Sequence, residues 1–383
     1  MSQFESIHIQ GFRRLIDVKL ALRPLMVMIG ANGCGKSSFL DVWRLLSRAT
    51  QGQLGDAFSE RNGFADVLSR SRPAAPQTPG MQFTVWGTSQ SEVFDYHLAI
   101  RSSGLLYVAG SEGLYWRTPD GMSHTLVQRS NAGSTVADHH YIEESFTKSV
   151  SPSETLLSRV GHSNPSTDSI RELLLSSGFY GPIDVSMNAP IRRSQMLRPV
   201  ARPSENGDDL VSRLYSIRES NRDRFEVVED TLRCAFPDFE RLEFPPVAAG
   251  MMALAWKDRQ FTQPLYMHQL SEGTLRFLWL TALLLSRDLP AVTLIDEPEV
   301  SLHPQLLMLL VGMMREASKR TQIIVATQSE SLVRFLNPEE ILIADLEEGA
   351  TKFTWGDDLD VAHWLEDYSL NELWTMGVLG GRL

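Results

Sequence analysis

The rhythm of apolar and polar positions changes several times along this 383-residue chain, and each change predicts an element. From Phe4 to Gly11 and from Ile16 to Leu22 the two classes alternate, the period of a half-buried strand. Leu25-Met26-Val27-Met28-Ile29 has no polar break and reads as a strand covered on both faces. With the two preceding strands it makes an N-terminal β region. From Ser38 to Leu46 the spacing becomes helical, with Phe39, Leu40, Val42, Trp43, Leu45 and Leu46 falling on one side. Arg72 to Gly80 is proline-rich and predicts a loop. Four short runs follow, Gln82 to Trp86, Glu92 to Ile100, Leu105 to Val108 and Leu114 to Arg117. Turn residues such as Ser102-Ser103-Gly104 and Pro119-Asp120-Gly121 punctuate them, so an antiparallel subsheet of hairpins is expected.

Ser130 to Ser169 is polar and weakly periodic, the pattern of an insertion. Gly207 to Ala235 returns to helical spacing through Leu210, Leu214, Ile217, Phe225, Val228 and Leu232, and Pro237 stops it. Strands are expected near Arg241 to Phe244 and Met251 to Trp256. From Ser271 onward helix and strand alternate: a helix over Leu275 to Leu285, a strand over Ala291 to Glu297, a helix over Gln305 to Ser318, then strands over Gln322 to Ala326 and Ile341 to Leu346. That alternation predicts a parallel α/β sheet.

Composition adds limits. The 43% hydrophobic and 22% charged residues are those of an ordinary globular protein, long enough for two or three domains or one large domain with insertions. No apolar run approaches membrane length, and the first residues do not read as a signal peptide. Two cysteines, Cys34 and Cys234, fit a reduced, cytoplasmic compartment. The net charge of −11 argues against a protein that coats nucleic acid over its whole surface. Arginines nevertheless gather at Arg192, Arg193, Arg198, Arg202, Arg213, Arg218, Arg222 and Arg224, interleaved with acids. The reading favoured here is a solvated, ion-paired helical face, with a nucleic-acid or partner surface as the alternative.

The chemistry is concentrated in two motifs. Gly30-Ala31-Asn32-Gly33-Cys34-Gly35-Lys36-Ser37 is a complete G-x-x-x-x-G-K-[ST] phosphate loop between the predicted buried strand and the helix. Its backbone N–H groups can converge on phosphate, Lys36 can reach the β- and γ-phosphates, and the Ser37 hydroxyl can ligate Mg²⁺. Asn32, Gly33, Cys34, Gly35 and Ser38 complete the expected nucleotide contacts. Roughly 260 residues later the strand ending in Asp296-Glu297 offers one carboxylate for Mg²⁺ and one to polarise the attacking water. Ser271 and Gly273 at a helix start form a second anion-binding turn, or a plain helix cap. Gln328, after the strand over 322 to 326, can sense the γ-phosphate.

In this order the motifs resemble the ATP-binding-cassette-type ATPases of the RecF, SMC and OLD group, in particular their single-chain bacterial "AAA family" relatives. The likeness also rests on Ile7 to Arg13, Leu270 to Arg276, Leu294 to Pro304 and Trp364 to Trp374, and covers roughly residues 1–130 and 205–383. It implies an α/β fold: an ABC-type P-loop NTPase head with a mixed, largely parallel core, an antiparallel β subdomain and a helical insertion. The expected division is 1–130 for the N-terminal lobe, 131–205 for a variable insertion, and 206–383 for the helical and signature region with the C-terminal lobe. The resemblance further implies ATP and Mg²⁺ as cofactors, Arg13 near the nucleotide and His303 at a subunit boundary. It implies a homodimer or higher oligomer closed head to head, with Ser271 and Gly273 completing the neighbour's site. Catalysis would rest on Glu297, Lys36 and Gln328. The partners implied are DNA or an effector protein such as a nuclease, with no membrane, in genome maintenance or defence against phage. A nucleotide-sensing scaffold with little turnover is the alternative. Two departures stand out. Gln328 occupies a position often held by His, and the glutamine that couples Mg²⁺ to the accessory lobe is matched only by Gln51 or Gln53. After Leu346 too little chain remains for a Toprim nuclease domain, and Asp357, Asp358 and Asp360 read as a helix start.

Overall fold

A computed structural model describes residues 2–70, 80–89, 92–104, 106–118, 121–130, 133–137, 143–145, 151–159, 165–360, 363–364 and 367–381. The proline-rich loop and the Pro119-Asp120 turn lie outside them, as does much of the polar stretch over 130–169. Strands β1 (Gln3–Phe12) and β2 (Leu15–Ala21) form a hairpin, and β3 (Leu25–Ile29) runs into helix α1 (Lys36–Thr50). Short helices α2 (Leu54–Ser59) and α3 (Phe64–Val67) lead to β4 (Gly80–Ser89), β5 (Glu92–Ser103), β6 (Leu106–Arg117), β7 (Ser123–Ser130), β8 (Gly133–Ala137) and β9 (Glu143–Ser145). Helix α4 (Pro165–Leu175) and β10 (Ser177–Tyr180) follow, then β11 (Gln195–Met196), α5 (Leu210–Ser220), α6 (Arg222–Ala235), β12 (Phe239–Glu243), β13 (Pro246–Ala248), β14 (Met251–Met252), β15 (Ala255–Asp258) and β16 (Leu265–Tyr266). The last third holds α7 (Glu272–Leu284), β17 (Val292–Asp296), α8 (Pro304–Ser318), β18 (Gln322–Ala326), α9 (Glu330–Val333), β19 (Ile341–Glu347), β20 (Ala350–Trp355) and α10 (Leu370–Thr375).

Two large sheets organise these elements. One is antiparallel, in the order β2-β1-β4-β5-β6-β7-β8-β9. The other runs β10-β17-β18-β3-β19-β20 and is parallel except for its last pair. The N-terminal β region is thus divided: β1 and β2 open the antiparallel sheet, whereas β3 lies inside the parallel one. The period-2 rule explains the result. Leu25, Val27 and Ile29 point into a core with α5 to α8, while Met26 and Met28 point into a second core with α1 and the antiparallel sheet. Neighbouring strands split the same way, with Ile295, Ile323 and Val325 on the first side and Val292, Leu294 and Ile324 on the second. A parallel sheet covered on both faces accounts for the unbroken apolar runs.

Side chains stitch the two sheets. Buried Gln322 accepts a hydrogen bond from the Phe4 amide at 2.8 Å and donates to the Phe4 carbonyl at 2.7 Å, tying β18 to β1. Trp43 of α1 packs on Phe4 with ring centroids 4.9 Å apart.

Several boundaries differ from the sequence expectation. The runs near Leu106 to Val108 and Leu114 to Arg117 belong to one strand, β6, because Gly113 pairs within the ladder and Gly110 forms only a bulge, a register shift opposite Ala99 and Ile100 after which pairing resumes. The helical stretch from Gly207 divides at Asn221, whose side chain caps α6 by accepting from the Arg224 amide. Met251 to Trp256 splits between β14 and β15, which lie in different small sheets. Asp357 and Asp358 end a single 3-10 turn, and Asp357 pairs with Arg23 at 2.8 Å rather than starting a helix. Strands β10 and β20 had no counterpart in the sequence reading.

Candidate functional site

Register alone brings the motifs together. Asp296 lies opposite Ala326, and Ala326 lies opposite Met28, so β17, β18 and β3 end side by side. The Glu297 amide donates to the Ala326 carbonyl at 2.8 Å, and the Thr327 amide to the Met28 carbonyl at 3.0 Å. The residues after these strands, Glu297, Thr327-Gln328 and the loop opening at Gly30, therefore share one edge of the sheet, where open α/β folds bind ligands.

The loop has the conformation its glycines allow. Gly35 precedes α1 at φ 112°, and a Cβ there would collide with the Thr351 hydroxyl, which donates to the Cys34 carbonyl at 2.8 Å. Strand β20 is thus the floor of the loop. Lys36 curls over the loop, donating to the carbonyls of Gly30 at 2.5 Å and Ala31 at 2.9 Å. Asn32, Gly33 and Ser37 are exposed and Ser38 is half-buried, whereas the Cys34 side chain is 1% exposed and faces the interior. The rim available to a ligand is therefore backbone and hydroxyl, at the N-terminus of a fifteen-residue helix.

Arg13 occupies the β1–β2 turn at φ 48° and reaches Asp41 of α1 at 2.8 Å. Arg61, 9% exposed, holds the other oxygen of the same carboxylate at 2.7 Å. Nothing in the sequence marked Arg61, which lies in a loop outside every motif. Gln51 and Gln53 lie just past the far end of α1, at least 20 Å along its axis from Ser37 at ~1.5 Å per residue. Gln53 accepts from Arg48 there, so neither glutamine lies beside the loop.

The carboxylates differ in environment. Burial, then the neighbouring Glu297 charge, pushes the Asp296 carboxyl up to about 6, against the pull of Lys36. Glu297 leaves the strand at φ 47°, and its Oε1 accepts from the Gln328 side-chain amide at 2.8 Å. Glu299, which the sequence reading passed over, accepts from the Thr327 hydroxyl at 2.6 Å and from the Gln328 amide at 3.4 Å. Burial raises its pKa. Ser37 and Asp296 are hard oxygen donors of the kind Mg²⁺ prefers, and a divalent cation would relieve the crowding of negative charge around Asp296, so this donor set fits the ion.

Ser271 caps α7, its Oγ accepting from the Thr274 amide at 3.1 Å. Gly273 packs so closely on the Ser301 carbonyl that a Cβ would lie 2.5 Å from it. Among the described residues no hydrogen bond or ion pair joins this exposed turn to the phosphate loop. His303 is exposed and caps α8, its Nδ1 accepting from the Gln305 amide at 3.3 Å.

The arginine cluster divides. Arg192 and Arg213 are buried structural residues, Arg198 pairs with Asp208 at 2.9 Å, and Arg218 pairs with Glu219 and stacks on Tyr215 and Phe244. Among the described residues no helix is long and apolar enough to cross a membrane.

Residues 25–334 match the profile of a family described as "AAA domain, putative AbiEii toxin, Type IV TA system", and the chain belongs to that family. Its fold is similar to that of an SMC head bound to the C-terminal winged-helix domain of ScpA, with TM-score 0.56 and 13% identity over 92% of this chain and 97% of that one. It is also similar to an SMC head with an extended coiled coil, bound to the C-terminal domain of ScpA derived from Pyrococcus furiosus. There the TM-score is 0.53 at 12% identity, over 98% of both chains. No curated protein matches the sequence. The fold is that of a P-loop NTPase head of the SMC type.

Proposed function

We propose that this member of the AAA-domain family binds and hydrolyses ATP, closing head to head with a second copy around the nucleotide. The observation that carries the reading is the convergence of three motifs on adjacent strand ends, with Lys36, Asp296, Glu297 and Gln328 at one edge. Lys36 and the loop amides bind the phosphates, and Ser37 with Asp296 would hold Mg²⁺. When bound, that ion neutralises charge on the β- and γ-phosphates. Glu297 orients the attacking water, and Gln328 holds the Glu297 carboxylate in place. Ser271 is exposed and Gly273 half-buried at the start of α7, away from the phosphate loop of the same chain, which supports their completing the site of a neighbour. Arg13, beside α1, would approach the same nucleotide.

The opening and closing of such a pair would be passed to DNA or to an effector protein, for example a nuclease. The family description, which includes a type IV toxin–antitoxin toxin, supports a setting in growth control or phage defence. The similar heads are bound to ScpA, which supports a partner protein here as well.

Steady-state phosphate release is the test. Glu297→Gln should lower turnover by about 100-fold or more while ATP still binds, the scale of losing a general base. Lys36→Ala should lose binding itself. Unchanged turnover in Glu297→Gln rejects the assignment.

One observation favours a second reading, a nucleotide-sensing scaffold with little turnover. The Gln328 amide donates to Glu297 at 2.8 Å but has no titrating proton to pass on. Partner retention that survives Glu297→Gln and is lost only in Lys36→Ala would select the scaffold.

A further inference from the structure

Arg192 carries a feature that neither the motifs nor the family relation assigns. It lies at the end of a short 3-10 turn (Pro190–Arg192) between β10 and β11, inside the stretch read as a variable insertion, and is only 7% exposed. Its guanidinium meets carbonyl oxygens. Nε donates to Val185 at 2.7 Å, and Nη1 is shared among Leu270 at 2.8 Å, Met267 at 3.2 Å and His268 at 3.3 Å. Among the described residues it forms no ion pair with a carboxylate. A buried cation held only by backbone dipoles is costly to keep, and is retained where its planar fork fixes a conformation that no shorter side chain could. Three of its four acceptors belong to the turn immediately before Ser271. That residue caps α7, so the direction of α7's first N–H groups depends on where residues 267–270 are held. Neighbouring Ile191 is fully buried in the same core as Leu270, Leu275 and Leu278, so the clamp is anchored at its root.

We propose that Arg192 is a positioning residue for the signature turn: it gathers the carbonyls of Met267, His268 and Leu270 and so fixes the pose in which Ser271 and Gly273 meet the nucleotide of a second copy. The inference rests on the head-to-head reading above. It also gives the end of the insertion a role, as the brace of the trans-acting turn.

The test is complementation between variants, read by phosphate release. Arg192→Met should bind ATP through its own phosphate loop with unchanged affinity, yet turn over at least tenfold more slowly, the scale of losing hydrogen bonds made by a charged group. Arg192→Lys should fall between it and the wild type, because an ammonium cannot reproduce the fork. Mixed with Lys36→Ala, Arg192→Met should regain turnover, since one of the two composite sites then combines an intact loop with an intact turn. Ser271→Arg mixed with Lys36→Ala is the control. If the control recovers and the Arg192 mixture does not, the positioning role is overturned and the head-to-head reading stands. If neither recovers, both fall. Should Arg192→Met fail to fold, Arg192→Lys decides: wild-type turnover in that variant overturns the proposal.

Discussion

Glu297 leaves its strand at φ 47°, a backbone region that costs a non-glycine residue roughly 1–3 kcal/mol, and that dihedral turns the side chain toward Gln328. Part of the counterweight is Glu299, two residues on. It pins the Thr327-Gln328 loop from behind, through the Thr327 hydroxyl and the Gln328 backbone amide, and Thr327 is fully buried. Truncating Glu299 to Ala leaves both donors unpaired and should cost about 1–3 kcal/mol in a denaturant titration. Glu299→Gln keeps an acceptor and should cost little. Its pH dependence follows from burial. A carboxyl whose pKa is raised on folding stabilises the native state below its unfolded pKa, and that contribution is lost as pH rises through the folded value. The stability of Glu299→Gln relative to wild type should therefore grow as pH rises above the ordinary carboxylate range, and a flat difference would mean that Glu299 ionises alike in both states. Asp296, Glu297 and Lys36 could be read from sequence because their spacing is a motif. Glu299, Arg61 and Arg192 could not, since their roles are fixed by partners 20 to 78 residues away.

At the scale of elements, β3, β17 and β18 were legible almost to the residue. Strands covered on both faces read as nearly continuous apolar runs, and the polar residues that follow mark the end. The antiparallel sheet was harder to read, because glycines inside β6 look like turns when only neighbours in sequence are considered. The break at Asn221 was hidden by apolar residues that continue at helical spacing on both sides. Strand β20 was missed although its Thr351 supports the phosphate loop, because the contact joins residues 317 apart. Gly273 carries an element-scale prediction. It lies within α7, where Ala would be the better helix former by ~1 kcal/mol, so an alanine there would ordinarily stabilise. Here its Cβ would press on the Ser301 carbonyl and push the loop after Glu297 away from α7. Gly273→Ala should thus lose about 1–3 kcal/mol of stability by thermal unfolding, as overpacked sites do, and lose turnover with it. A more stable variant with full activity would show that the α7–Ser301 contact yields freely.

Across the whole molecule, the six-stranded sheet separates two cores, and the phosphate loop leaves it from a strand that contributes to both. Movement of the helical side against the antiparallel side would therefore act on the strand ends that carry the phosphate loop, Asp296 and Glu297. The helical side bears Ser271 and Gly273, the antiparallel side bears Arg13, and this division makes a paired arrangement of copies mechanically useful. Charge then sets a sign that can be measured. Each copy carries −11, so two copies brought face to face repel at long range, and salt screens that repulsion once the Debye length falls to ~10 Å near 0.1 M. Glu297→Gln with saturating Mg·ATP should scatter light as a particle of twice the monomer mass, and raising salt from about 50 to about 300 mM should tighten the pair. Association with DNA would have the opposite salt dependence, because it is driven by release of counterions. Measured on one preparation, the two slopes separate closure around nucleotide from attachment to nucleic acid. A protein that stays monomeric under saturating Mg·ATP at every salt concentration would leave Ser271 and Gly273 without a nucleotide to meet.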